Sequence, residues 1–361
     1  MDYVCGYKVY TYTFDGIEGS FVHAVANNKI NREPGGPNDM LRELQTADMG
    51  LERRRFGGEK MSFSKEGPTE IEKSPALMDS ASLLTPQLKD NPKTSEAADA
   101  QEARTAAKKP EADEGDFMTA FSMNYGLPYK FVASGASRPF EDAPEAVRAC
   151  RSRLNWAART FLARCSAEHD FNEELIFAYM EGQKIEYHDD GEDGLGPRIA
   201  TLSLGGKAKM HMRMKAKHYV GCSKTGVFTA EEPKPGCLGG REMFEQRHAR
   251  WEELRQLKGH DRAAFRKRQV EIPKELGIYD TRNKKADDLV TITLSHGDIV
   301  LMEGYEVQKY LEHKVMPEEH LRFALTCREV LANHLTESEL PRYTVGRDEY
   351  GYDGSRAQDW A

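Results

Sequence analysis

The sequence predicts a mainly β fold with flanking helices, a double-stranded β-helix or jelly roll. Two residues of metal-binding type, His188 and Asp190, lie in mid-chain, and a second histidine, His313, lies 123 residues after Asp190. Two arginines, Arg322 and Arg328, follow on one face of a late alternating segment. A jelly roll brings distant segments together at one end of two packed sheets, so it accommodates all five side chains in one site.

The N-terminal segment, residues 1–58, contains the alternating run YKVYTYTF, which is typical of a strand. A basic cluster, Arg53 to Arg55, lies near its end. The segment either adds a β-element to the main sheet or forms a small module of its own.

Residues 59–116 have the composition of a disordered acidic linker or insertion. They contain one aromatic residue, Phe63, and 13 acidic against 8 basic residues, so they hold −5 of the chain's net charge of −8. Such a segment cannot bury enough apolar surface to offset its ordering entropy. The remainder of the chain is nearly neutral and can carry a basic patch.

Two further segments have helical patterns. Residues 144–166 begin with a proline and place Val147, Leu154 and Phe161 at helical spacing, which predicts a helix backing the main sheet. Residues 241–268, inside an insertion at about 222–288, carry nine Lys or Arg against five acids. Their apolar stripe consists of Phe244, Trp251, Leu254 and Phe265. This second helix either packs on the barrel or serves as an arm for nucleic acid or a partner.

The run YHDDGED places His188 and Asp190 two residues apart, so both side chains leave one face of an extended strand. Together with His313 they make two imidazoles and one carboxylate. This is the facial triad that leaves coordination positions of a non-haem Fe(II) open. A His-x-Asp tripeptide is common by chance, so taken alone it favours an ordinary exposed segment, and the downstream residues are what change that interpretation.

The run GGKAKMHMRMKAKHY alternates basic residues with Ala and Met. Its basic positions are Lys207, Lys209, His211, Arg213, Lys215 and Lys217. On a strand they form one basic face, which suits a phosphate backbone and would make binding salt-dependent. The alternative is a solvated outer face backed by a Met-lined core, and the pattern leaves both open.

The late segment LRFALTCREV has two distinct faces. One face carries Arg322, Ala324, Thr326 and Arg328, and the other carries Leu321, Phe323, Leu325 and Cys327. A guanidinium pairs with both oxygens of a carboxylate and stays charged when buried, so two arginines on one face predict a carboxylate site. A surface ion-pair strand is the alternative, which the apolar opposite face disfavours.

Over roughly residues 117–332 the chain resembles the AlkB family of Fe(II)- and 2-oxoglutarate-dependent dioxygenases. The resemblance rests on NYGLPYKF, on the run from FNEELIFAYM to ATLSLG, on HGDIVLMEG, and on the Arg-x5-Arg spacing of Arg322 and Arg328. Four motifs in the family's order make a specific signal. The resemblance implies a catalytic domain over residues 117–335, followed by a C-terminal tail over 336–361.

The resemblance assigns the metal and cosubstrate residues. It implies that His188, Asp190 and His313 hold Fe(II), and that Arg322, Arg328 and Tyr179 serve the 2-oxoglutarate pocket, with Thr326 supplying a further hydrogen bond. Phe177 and Ala324 stand where the family usually has asparagines. Because both replacements remove an amide, we expect a reshaped pocket or a lowered affinity for 2-oxoglutarate.

The implied reaction consumes 2-oxoglutarate and molecular oxygen, and a methyl group on nitrogen leaves as formaldehyde. A base substrate must be presented outside the stack, single-stranded or flipped, against aromatic faces. Tyr129 and Phe131 either form such faces or are core aromatics. Glu192 lies where the resemblance places an acidic contact to the base, or is a solvated loop residue. Lys207, Lys209 and Arg213 would contact phosphates.

The leading hypothesis is therefore dealkylation of DNA or RNA bases. One alternative is a 2-oxoglutarate oxygenase acting on a protein side chain, because fold does not fix substrate. Another is a catalytically weak nucleic-acid-binding scaffold, because Phe177 and Ala324 depart from the family pattern.

The remaining features place the protein in a compartment. The six cysteines are Cys5, Cys150, Cys165, Cys222, Cys237 and Cys327. They include no Cys-x-x-Cys pair, which argues against a zinc module, and free thiols fit a reducing compartment. No apolar run is long enough to span a membrane, and the N-terminus lacks a signal-peptide core. We expect an intracellular protein, nuclear or cytoplasmic, that is a monomer.

Overall fold

The computed structural model describes ten ranges of the chain: 1–56, 118–128, 137–162, 170–180, 183–191, 193–221, 233–238, 244–277, 284–337 and 340–355. The predicted linker at 59–116 lies outside them, as do Tyr129, Phe131 and Glu192. The roles predicted for these residues stay predictions.

Within these ranges the chain forms fourteen strands and seven α-helices. The strands are β1 (Asp2–Val4), β2 (Tyr7–Phe14), β3 (Ile17–Ala26), β4 (Glu52–Phe56), β5 (Met118–Gly126), β6 (Ser137–Arg138), β7 (Glu173–Tyr179), β8 (Ile185–His188), β9 (Leu195–Gly205), β10 (Ala208–Met214), β11 (Asp288–Leu294), β12 (Ile299–Glu303), β13 (Leu311–Pro317) and β14 (Arg322–Val330). The helices are α1 (Asn28–Arg32), α2 (Pro37–Thr46), α3 (Glu145–Phe161), α4 (Ala216–Val220), α5 (Phe244–His260), α6 (Arg262–Glu275) and α7 (Tyr305–Tyr310).

The strands form two sheets. The larger has the order β1-β2-β3-β12-β9-β14-β7-β5-β4, with β6 paired to β5, and the smaller has the order β11-β10-β13-β8. Methionines of β10 pack with Ile199, Val300 and Met302 of the larger sheet, so one apolar cluster includes side chains from both sheets. The predicted mainly β jelly roll with flanking helices is confirmed.

The N-terminal segment adds strands to the larger sheet through the antiparallel pairing of β3 with β12. The run YKVYTYTF forms β2, as its alternation predicts. In the core beneath it, Arg153 of α3 forms a buried ion pair with Glu33 and donates hydrogen bonds to the hydroxyls of Tyr7 and Tyr352. This cluster joins the N-terminal segment, α3 and the end of the chain.

Helix α3 confirms the helix predicted from the proline at position 144. It packs against the larger sheet and buries Val147 and Leu154 in the same core as Leu202 and Leu325. Residues 340–355 lie against α3, where the Tyr352 backbone N–H donates to Ser152 Oγ at 2.7 Å.

The helix predicted over residues 241–268 is two helices, α5 and α6, that pack on each other. The chain turns at Asp261, whose carboxylate accepts from the N–H groups of Ala263 and Ala264 at 2.9 Å and caps α6. Leu254 of the predicted stripe is buried with Val220 of α4 and Ile272. Of the two interpretations left open, packing on the fold describes this segment. No helix in the described ranges has the length and apolar character to cross a membrane.

Candidate metal centre

Three side chains of ligand type converge at one end of the smaller sheet. His188 ends β8 and lies directly opposite His313 in the pairing of β8 with β13, with ring centroids 4.3 Å apart. Asp190 Oδ2 lies 3.7 Å from His313 Nε2. One potential ligand atom from each residue lies within 4.8 Å of the other two, so the three can hold a single ion.

The histidines are oriented as metal ligands. His188 Nδ1 lies 2.8 Å from the carbonyl oxygen of Glu186. A carbonyl can only accept, so Nδ1 carries the proton and Nε2 is left to bind a metal. Burial, reinforced by His188, lowers the pKa of His313 to about 3. His313 is therefore neutral over the physiological range, which is the form that binds metal ions.

Asp190 is positioned differently from the expectation of a shared strand face. Strand β8 ends at His188, and Asp190 lies just beyond it, outside the backbone ladder. Its Oδ1 is 3.4 Å from Nη2 of Arg328. Burial opposes ionisation of this carboxyl, but the pKa is held below its usual value, and the charge of Arg328 is the largest effect that lowers it. Asp190 is thus charged. The side chain of Arg328, and not backbone pairing within the sheet, holds its carboxylate.

Arg322 is a buried cation in the described structure without a carboxylate partner there. It is 1 % exposed, its Nε donates to Ser203 Oγ at 3.1 Å, and its guanidinium lies 5.3 Å from the centre of the Tyr179 ring. Its Nη1 is buried and finds no hydrogen-bond partner among the described residues. Burial lowers the pKa of Arg322. A buried guanidinium with an unused donor fits the carboxylate of a bound dicarboxylate such as 2-oxoglutarate.

The second arginine of the pair has a different position. Arg328 lies between Asp190 and Glu173, with Nη1 3.5 Å from Glu173 Oε2. Thr326 shares the inward face, and its hydroxyl lies 3.0 Å from that of Thr201 on β9. Arg328 therefore contacts the metal-site carboxylate, whereas Arg322 supplies the donor that remains available.

The candidate ligands and Arg322 line a cavity of about 70 Å³, and Tyr179, Phe177 and Ala324 line it as well. Tyr179 lies opposite Arg322 in the pairing of β7 with β14, and burial raises its pKa to about 12, so the phenol is neutral. Phe177 lies opposite Ala324 in the same pairing, and its ring stacks on Tyr179 at 5.7 Å. A large side chain faces a small one, so the two substitutions make one apolar contact where the resemblance placed two amides.

Lys209, His211 and Arg213 of β10 share a face as predicted, whereas Lys207 and Lys215 flank the strand and Lys217 lies in α4. Five of these six residues lie beside a carboxylate. The pairs are Lys207 with Glu319 at 3.8 Å, Lys209 with Glu318 at 2.8 Å, His211 with Asp288 at 2.9 Å, Arg213 with Glu312 at 2.7 Å and, just after the strand, Lys215 with Asp189 at 2.8 Å. A polyanion would have to displace these carboxylates. The strand therefore has less unpaired positive charge for binding a phosphate backbone than the sequence pattern indicated. Lys207, Lys209 and Arg213 are residues of an ion-paired outer face.

A groove of about 590 Å³ borders the metal centre, and the sequence pattern did not single it out. Asp189 and Gly191, the sequence neighbours of the candidate ligand Asp190, are among its lining residues. Its cationic and aromatic lining residues are Lys215, Lys217, His218, Tyr305, Lys309 and His334. Tyr305 is 57 % exposed, and Lys217 and Lys309 are exposed as well. The sequence signal for this groove was the four-residue spacing of Tyr305 and Lys309, which places both on one helical face shortly before His313.

A family model described as the 2OG-Fe(II) oxygenase superfamily matches residues 93–328, which is more than half of the chain. The chain belongs to this superfamily. The predicted Fe(II)/2-oxoglutarate-dependent dioxygenase is therefore confirmed, with Fe(II) and 2-oxoglutarate as its cofactors and molecular oxygen as cosubstrate.

The chain is also similar to a solved structure titled "The structure of OsALKBH1". The two are 15 % identical over 58 % of this chain and 78 % of that one, with a TM-score of 0.27. No curated protein matches the chain.

Proposed function

We propose that this oxygenase removes alkyl groups oxidatively from bases of DNA or RNA. The observation that carries the proposal is the groove beside the metal centre, which presents exposed lysines and an exposed tyrosine. The motif order that resembles the AlkB family supports the same substrate class.

The groove has the two chemical components that a single strand requires. Lys217 and Lys309 offer positive charge to phosphates, and Tyr305 offers a ring face on which a base can stack. Asp189 and Gly191 line the groove and flank Asp190 in the sequence, so part of the groove is one residue away from a candidate metal ligand. A strand held there can present one extruded base to the metal centre, as enzymes acting on bases require.

Within the site, each group of residues has a distinct task. His188, Asp190 and His313 hold Fe(II), while Arg322 and Tyr179 hold 2-oxoglutarate through its carboxylate. When bound, iron, 2-oxoglutarate and oxygen supply the oxidising chemistry. The apolar wall of Phe177 and Ala324 keeps water from this part of the cavity.

Succinate formation from 2-oxoglutarate tests the proposal, with methylated oligonucleotides and methylated peptides offered in parallel. Turnover with oligonucleotides alone is the expected result. Turnover with peptides alone would show that the substrate is a protein side chain.

A scaffold with weak or no catalysis is the second candidate, and the apolar contact of Phe177 with Ala324 is the observation that favours it. Iron binding without succinate formation on either substrate would establish that candidate.

A further inference from the structure

Glu173 is a buried carboxylate that is separated from the candidate ligand Asp190 by one side chain, that of Arg328. It is the first residue of β7 and is 0 % exposed. Its position is set by the backbone, because Glu173 lies directly opposite Arg328 in the pairing of β7 with β14. The side-chain amide of Asn124, on the neighbouring strand β5, donates to Glu173 Oε1 at 2.5 Å.

Arg328 links this carboxylate to a metal ligand. Its Nη1 lies 3.5 Å from Glu173 Oε2, and its Nη2 lies 3.4 Å from Asp190 Oδ1. Because Asp190 lies beyond the end of β8, no strand pairing orients its carboxylate. The side chains therefore form a continuous path from Asn124 through Glu173 and Arg328 to Asp190.

A buried ion pair contributes little net stability, because desolvation of both charges offsets their attraction. The main consequences of this arrangement are therefore the position of the Arg328 side chain and the charge balance around it. Glu173 holds the guanidinium in place against Asp190. It also balances the positive charge of Arg328, which would otherwise repel a cation at the neighbouring site.

We propose that Glu173 is a positioning residue of the metal centre, which orients Asp190 through Arg328 and raises the affinity of the site for a divalent cation. The inference rests on the proposed role of His188, Asp190 and His313 as metal ligands. Groups that support metal ligands in this way change metal affinity about 10- to 100-fold when they are replaced.

Glu174 provides a matched control. It is the next residue along β7 and is also 0 % exposed, but its side chain points to the opposite face of the strand, toward Cys150 and Cys327. Both glutamates are therefore equally buried in one strand, and only Glu173 contacts the path to the metal centre.

The test is the dissociation constant of Mn(II), measured from the electron paramagnetic resonance signal of the free ion, in the full chain without 2-oxoglutarate. Burial raises the pKa of Glu173 to about 7, so the titration is run at pH 8, where the carboxylate is charged. Glu173→Gln should raise the dissociation constant about tenfold, at the lower end of the range for such groups. Glu174→Gln should leave it at the wild-type value.

Glu173→Asp keeps the charge and should restore part of the lost affinity. If Glu173→Gln does not fold, Asn124→Ser removes the amide that donates to Glu173 and should raise the dissociation constant by less, in the same direction. Equal Mn(II) affinity in Glu173→Gln and the wild type, or equal losses in the Glu173 and Glu174 variants, would overturn the inference. A wild-type chain that binds no Mn(II) refutes the ligand assignment itself.

Discussion

Two arginines of this protein are buried to the same extent but have different partners. Arg153 and Arg322 are each 1 % exposed. Arg153 pairs with the buried carboxylate of Glu33, whereas Arg322 has no carboxylate partner in the described ranges and donates to Ser203. Replacing each by methionine, which is similar in length and uncharged, should therefore have opposite consequences for stability and for ligand binding.

The magnitudes follow from the partners left behind. Arg153→Met leaves Glu33 buried without its cation and should lower the free energy of unfolding by about 3–5 kcal/mol. Arg322→Met leaves the hydroxyl of Ser203 without its donor and removes the guanidinium from beside the Tyr179 hydroxyl, at a cost of about 1–3 kcal/mol. Removal of a buried cation with no counter-charge offsets that cost, so we expect a stability within about 1 kcal/mol of the wild type.

Cosubstrate binding should show the reverse order. A hydrogen bond from Nη1 of Arg322, the donor without a partner among the described residues, to a carboxylate is worth about 1.5–3 kcal/mol. Its loss in Arg322→Met corresponds to a rise of about 10- to 100-fold in the dissociation constant of 2-oxoglutarate. Arg153→Met should leave that constant unchanged in the fraction that is folded.

Urea denaturation gives the two stabilities, and calorimetric titration of 2-oxoglutarate into the Mn(II)-loaded chain gives the two affinities. A loss of several kcal/mol of stability in Arg322→Met, with 2-oxoglutarate affinity intact, would refute the reasoning. It would show that Arg322 is a structural residue of the core.

Three other predictions concern single residues. Burial raises the pKa of Glu174 to about 8 from 4.5, so between pH 4.5 and 8 the folded chain keeps a proton that the unfolded chain releases. In that range this group lowers the free energy of unfolding by about 1.4 kcal/mol for each unit by which the pH rises. Glu174→Gln should remove that slope in urea denaturation at pH 5 to 8, and an unchanged slope contradicts it. Lys217→Gln should weaken binding of a single-stranded oligonucleotide and reduce the magnitude of the slope of log K against log salt by about 0.7. Lys207→Gln, which breaks the pair with Glu319, should change neither quantity, and equal effects of the two variants would disprove the groove assignment. Tyr352→Phe should cost about 1–3 kcal/mol in thermal unfolding, since its hydroxyl joins the buried ion pair of the core, and no change would show that hydroxyl to be dispensable.

Local patterns in the sequence were sufficient for the elements that form the site. Alternation over residues 321–328 determined which side chains of β14 face the cavity, because successive residues of a strand point to opposite faces. The same rule placed the methionines of β10 in the core. The proline at position 144 and the helical spacing after it predicted α3 for a similarly local reason.

Local patterns did not determine the features of the structure that depend on partners elsewhere in the chain. The helix predicted over 241–268 is divided because Asp261 caps a new helix, although the apolar stripe continues across it. The alternation of the six basic residues between 207 and 217 left open whether they bind phosphates or form a solvated outer face. Carboxylates of β11, β13 and the segments that follow β8 and β13 lie beside five of them, which no local pattern shows.

The sequence by itself determined the chemistry of this protein: the ligand types, the arginine pair, and the faces on which strands present them. Only the tertiary structure decided how those groups are used. Lys209 meets Glu318, and Arg328 meets Glu173, because strand register joins residues more than a hundred positions apart. Burial then sets which charges are balanced and which, like that of Arg322, remain available for a ligand.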